Sequence, residues 1–276
     1  MFLSGCCFTA MNGIVKYIDH LPVFELVFFR ALGSALLCWM FLYKKGISPI
    51  GTKPKLLFFR AAAGLISMAL FFKAIHIMPI ASAVTLRYIS PFFAAILAVI
   101  FLKERMFKLQ WLCLLIAFAG VAMLKGFDSR IGFLALVIIL LAAVFSGVVY
   151  TLIRRIGPGE DPIVIVNYFM SLSLLVSGVI CLFDWVNPQS DEWPILLSMG
   201  ILGFYAQFFM TKAMQREESN QIVPFKYIEV ILTILVGWIL FGEAMNVISV
   251  IAIFMIITAL IANVKLKSYF ESLKAS

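Results

Sequence analysis

The side chains best placed to bind charge in this sequence come as a repeated set. Arg87-Tyr88-Ile89, followed by Ser90-Pro91, puts a cation about seven residues, or roughly 10 Å at 1.5 Å per residue, into an apolar run. Lys226-Tyr227-Ile228 repeats the order, with Glu229 next in line. An ionised group at the centre of a hydrocarbon span costs about 2.5–3.5 kcal/mol on insertion scales, so such groups usually face a wet cavity or one another. Two cations, two phenols and one carboxylate suit reversible binding of a charged or zwitterionic solute. Lys226 and Glu229 also stand three apart, on one face of a helix. They can neutralise each other structurally, bind the two ends of a zwitterion, or leave Glu229 to carry a coupling proton.

Other polar groups in apolar surroundings extend the candidate site. Arg30, in Phe28-Phe29-Arg30-Ala31, either pairs with Glu25 or Asp19 near the surface or lines a cavity. Asn12, Asn167, Tyr168, Tyr205 and Gln207 are uncharged candidates for the cavity wall, although such residues also serve as interhelical hydrogen bonds. Tyr88 and Tyr227 suit either the site or an interfacial aromatic belt. Arg60, close to the end of its run, is expected to reach for the headgroups. The 27 phenylalanines read as lipid-facing or core-filling. No catalytic residue, metal site or cofactor is expected. His20 and His76 are remote from each other, the five cysteines have no ligand-like spacing, and no carboxylates cluster within the spans.

These residues must be positioned by membrane-spanning helices. The chain of 276 residues is 63% hydrophobic and 13% charged, with a mean hydropathy of +1.07, more apolar surface than a soluble domain can bury. Ten apolar runs are expected to span, at roughly 1–18, 22–43, 55–74, 80–101, 108–124, 131–152, 162–184, 192–212, 220–241 and 246–265. Pro and Gly punctuate the breaks. The net charge of +8 lies between apolar runs, a pattern that argues against nucleic acid as partner. Alternate loops hold fourteen and four Lys/Arg, which predicts both termini on the cytoplasmic side. Met1 opens directly into an apolar run without a signal-peptide head, so the first span is either short or begins upstream.

The chain is also a duplication. Adding 139 to each position turns Arg87-Tyr88-Ile89 into Lys226-Tyr227-Ile228, Glu104 into Glu243, Met106 into Met245, Lys73-Ala74 into Lys212-Ala213, and Gly64 into Gly203. Five spans per copy is odd, so the second copy must be inverted. Accordingly, Lys103, Arg105 and Lys108 become Gly242, Ala244 and Val247 where inversion moves the loop across the membrane. The expected fold is an all-α polytopic membrane protein: ten transmembrane helices as two inverted five-helix repeats, 1–124 and 131–265, with a short tail at 266–276. That architecture places a substrate site near the pseudo-two-fold axis.

Ten spans, the duplication, Phe28-Phe29-Arg30, and the fourth-span ending Phe101-Leu102-Lys103-Glu104 resemble the drug/metabolite transporter superfamily, in particular its EamA-type transporters. The resemblance implies a bacterial inner-membrane secondary transporter, a small-molecule metabolite and the lipid bilayer as partners, a coupling proton or exchange substrate, and alternating access. Phe24 to Arg30 and Pro224-Phe225-Lys226-Tyr227-Ile228-Glu229-Val230 are similar to the branch of S-adenosylmethionine uptake carriers, which implies that solute. Export of amino acids or other small metabolites is the alternative. A passive channel or an integral-membrane enzyme is the competing class.

Overall fold

In a computed structural model of the protein, the backbone is described for residues 2–102, 107–216 and 219–275. Side chains are described for the same residues except 98, 100–102, 127, 216, 219–228, 264 and 267–275. The described residues form eleven helices: α1 (Phe2–Tyr17), α2 (Val23–Lys45), α3 (Pro54–Ile77), α4 (Ile80–Arg87), α5 (Ser90–Leu102), α6 (Lys108–Phe127), α7 (Phe133–Ile156), α8 (Pro162–Cys181), α9 (Trp193–Arg216), α10 (Ser219–Phe241) and α11 (Val247–Ala275). They make ten spans, because α4 and α5 share the fourth. Seven stretches, one of them Ile80–Leu97, are long and apolar enough to cross a membrane within the described residues, and two further apolar helical pieces are shorter. Short connections make consecutive spans run antiparallel.

The fourth run was expected as one helix and is not. Tyr88 N–H reaches back to Val84 and Thr85, and Ile89 N–H to Leu86, a tightened turn that ends α4 before α5 begins. Pro91 explains the break: it has no N–H to give to the carbonyl of Arg87, and its ring crowds that carbonyl. The equivalent position in the second copy is Val230, and α10 runs unbroken through it. The break carries Arg87 and Tyr88 on a distinct turn instead of the flank of a straight rod.

The packing shows the duplication. Helix α1 packs on α9 and α10, and in the other copy α7 packs on α3 and on α4–α5; α2 lies against α8, and α6 against α11. The 139-residue shift maps the ends of α3 onto those of α9. Residue contacts obey the same exchange. A methyl group on Gly203 would stand 2.9 Å from Arg30 Cγ, and one on Gly64 would stand 3.0 Å from Phe169, the residue equivalent to Arg30. Since each copy has five antiparallel spans, the copies are inverted. Leu36, Trp39, Phe58, Phe59, Trp238, Leu240 and Phe254 project outward, as a bilayer solvent requires.

Candidate functional site

Near the centre of the bundle lies a cavity of about 470 Å³, its open mouth included, lined by residues that include Arg30, Arg60, Arg87, Tyr150, Phe169 and Gln207. A second compartment of about 300 Å³ shares Phe8, Arg87, Tyr150 and Met210 with it and adds Ser4, Gly5, Tyr88 and Glu229. Arg87 therefore stands at the junction of two differently charged spaces.

The first compartment is basic. Arg60 is fully buried and Arg30 is 4% exposed. Each guanidinium lies over aromatic rings: Arg60 4.7 Å from the Phe169 centroid, Arg30 5.7 Å from Phe72 and 5.9 Å from Phe169, and Arg87 3.9 Å from Phe71. A desolvated cation–π contact contributes about 2 kcal/mol, whereas removing an ion from water costs several kcal/mol, so the rings offset only part of the cost. Among the described residues no carboxylate lies within ion-pairing distance of these arginines. Arg30 Nη1 points at Met68 Sδ at 2.8 Å, a weak acceptor, while Arg30 Nε and Arg60 Nε and Nη1 find no hydrogen-bond partner among the described residues.

The second compartment sets one carboxylate, Glu229, beside Arg87. Glu229 is 3% exposed. Its Oε2 accepts a hydrogen bond from the Tyr88 hydroxyl and its Oε1 accepts one from Asn12 Nδ2 at 3.3 Å. The main chain at Glu229 accepts from Thr233 of the same helix at 2.6 Å and from Thr9 of α1 at 3.5 Å, and the second bond joins α10 to α1. One carboxylate thus joins α1, α4 and α10 across the two copies.

The structure brings Arg30, Arg87, Tyr88, Glu229 and Gln207 to the cavity wall, with Asn12 behind Glu229. Arg30 does not pair with Glu25, whose carboxylate accepts from Val186 N–H at 3.1 Å. Three candidates stand elsewhere. Tyr205 is 40% exposed on the outer face, stacked on Phe209, and Asn167 is buried off the lining, its side chain accepting from Ser171 at 3.3 Å. Tyr168 donates to the Ile50 carbonyl at 2.8 Å. Lys226 and Tyr227 lie on α10, and their side chains fall outside the described residues.

Two expectations are corrected. Arg60 does not snorkel, because α3 turns it toward Phe169 and away from the headgroups. Phe8, Phe71, Phe72 and Phe169 are not mere filler; they carry the guanidiniums. Tyr150, Ser67 and Ser146 also line the cavity and were missed. The phenol within the long apolar α7 was their only signal.

The EamA-like transporter family model matches residues 1–125 and 133–264, nearly the whole chain in two copies. The chain belongs to this family. It is a transporter rather than an enzyme. A pseudopaline exporter of Pseudomonas aeruginosa is 28% identical over 263 residues, covering 94% of this chain and 93% of that protein. An S-adenosylmethionine uptake transporter of Rickettsia prowazekii is 23% identical, covering 88% and 86%. A riboflavin transporter of Rhizobium johnstonii is 25% identical, covering 88% and 82%. One crystal structure shares the fold with a TM-score of 0.72 at 18% identity, covering 96% of this chain and 94% of that one. The transporter therefore handles a small metabolite, and its substrate must be argued from the cavity.

Proposed function

We propose that the transporter is a secondary carrier for a small amphoteric metabolite and works by alternating access. The two copies, 1–124 and 131–265, are the moving bodies in this reading, and both termini lie in the cytoplasm of a bacterial cell. The observation that carries it is the position of Arg87 between an arginine-rich compartment and one holding Glu229. A carboxylate bound at Arg87 sets a neighbouring ammonium or sulfonium toward Glu229. S-adenosylmethionine carries these three groups, and uptake of that solute is the specific form of the proposal. The exporter among the relatives supports a second reading, in which the same site releases its solute outward.

Counterflow in proteoliposomes tests it. Vesicles preloaded with unlabelled S-adenosylmethionine should transiently accumulate trace labelled compound, and a Lys226→Ala, Glu229→Ala double variant should lose the overshoot. A folded wild type without overshoot would remove this solute.

Alternating access also predicts opposed gates. At one end Lys16 pairs with Glu243 at 3.3 Å and donates to the Ile75 and Met78 carbonyls, while Glu243 accepts from Ile80 N–H at 2.9 Å. At the other end Glu160 accepts from the Thr52 N–H at 2.7 Å and hydroxyl at 2.8 Å. Both sets join one copy to the other. In a background without native cysteines, Glu243→Ala should speed labelling of a cavity cysteine from the Glu243 side, and Glu160→Ala from the Glu160 side. Variants that open the same side would contradict two opposed gates.

A further inference from the structure

One carboxylate at Arg87 leaves two cationic groups of the cavity unanswered. Arg30 and Arg60 enter from α2 and α3, and both lie over the Phe169 ring. Both are at least nine-tenths buried, and three of their N–H-bearing nitrogens have no hydrogen-bond partner among the described residues. They line the compartment beyond Arg87, not the space beside Glu229. Gly64 opens on the same place: a methyl there would lie 3.6 Å from Arg60 Nη1 and 3.0 Å from Phe169. An arginine held on a ring keeps its in-plane donors free, and those donors match the two oxygens of a planar anion.

We propose that Arg60 and Arg30 form a second anion site, so that the transported solute carries a distal carboxylate or phosphate in addition to its amino-acid head. This rests on the carrier reading but not on S-adenosylmethionine, which has a single anionic group, and it names a different substrate class: an amphoteric solute with at least two anionic groups. The head binds between Arg87 and Glu229, and the distal anion lies edge-on to the two guanidiniums. Arg60 is then the specificity-determining residue, since it distinguishes an acid from its neutral counterpart.

The full-length protein in detergent would be melted against matched probes: glutamate with glutamine, 2-aminoadipate with norleucine, and O-phosphoserine with serine. For at least one pair the wild type should respond to the anion at a concentration at least tenfold lower than to the neutral partner. The pair that responds tells carboxylate from phosphate. Arg60→Gln should bring that ratio near one, and Arg60→Lys should keep part of it, with Arg30→Gln as an independent variant should Arg60→Gln not fold. No anion preference in the wild type, or a preference undiminished in folded Arg60→Gln or Arg30→Gln, overturns the site and makes these arginines structural. Counterflow of these probes by the same protein reconstituted in proteoliposomes separates the two proposals: counterflow without anion preference removes only the second site, and preference without counterflow removes only the carrier reading.

Discussion

Glu229→Gln should fold and bind probes at its arginines, yet move an amphoteric solute roughly 10- to 100-fold more slowly. That range corresponds to about 1.5–3 kcal/mol for a hydrogen bond to a charged group. The amide is nearly isosteric with the carboxylate. Asn12 Oδ1 is buried without a partner among the described residues, so a flipped Asn12 can accept from the new NH₂ while Tyr88 still donates to the remaining oxygen. The polar network survives, and what disappears is the negative charge facing the solute's cation. Glu229→Ala differs: it takes away the carboxylate that accepts from the Tyr88 hydroxyl and the Asn12 amide, and should lower stability by about 1–3 kcal/mol as well. Counterflow beside thermal melting checks both. Wild-type transport by folded Glu229→Gln would remove Glu229 from the site.

Gly200→Val should have the largest effect on the fold. A methyl group on Gly200 would sit 2.5 Å from Gly33 Cα, and one on Gly33 would sit 2.8 Å from Gly200 Cα. The obstruction is backbone on both sides, so no rotamer change relieves it. Ser34 adds a 2.7 Å hydrogen bond to the Gly200 carbonyl and holds α2 and α9 at this distance. Close approach through small residues is a main source of helix association in lipid. Forcing the pair apart should cost about 3 kcal/mol, the upper end for overpacking, or more. It also displaces Arg30, which leans over Gly203 on α9. The expected result is loss of monodisperse protein in detergent, measured by size-exclusion chromatography. Gly178→Ala serves as the control, because its added methyl would meet only Phe28 at 3.6 Å. A stable Gly200→Val would mean that α2 and α9 separate more easily than this packing implies.

Much of this molecule can be read along the chain. Apolar runs near the bilayer thickness dictate the spans, because unsatisfied backbone groups are untenable in lipid and only helices satisfy them locally. The repeat of Arg87-Tyr88-Ile89 as Lys226-Tyr227-Ile228, with an odd number of spans per copy, dictates the inversion. Ionisable residues inside spans are few because each is costly, so Arg30, Arg87 and Glu229 stood out as candidates, and the structure places all three on the cavity wall.

Facing was the weaker inference, although part of it was available. Residues two apart on a helix point roughly 200° apart, so Gln207 on the cavity wall places Tyr205 outside, and Phe169 on the wall removes Asn167. Only the tertiary structure decided the rest. Pro91 can kink a span or end a helix; the outcome here, two helices with Tyr88 aimed at Glu229, depends on α10 standing opposite. Arg60 counts as near a helix end along the sequence, but the ring of Phe169, 109 residues away, turns it inward. Hydropathy tells which segments enter the membrane. Which of their faces meet each other is set by close packing between segments distant in sequence, and that packing creates the charged cavity.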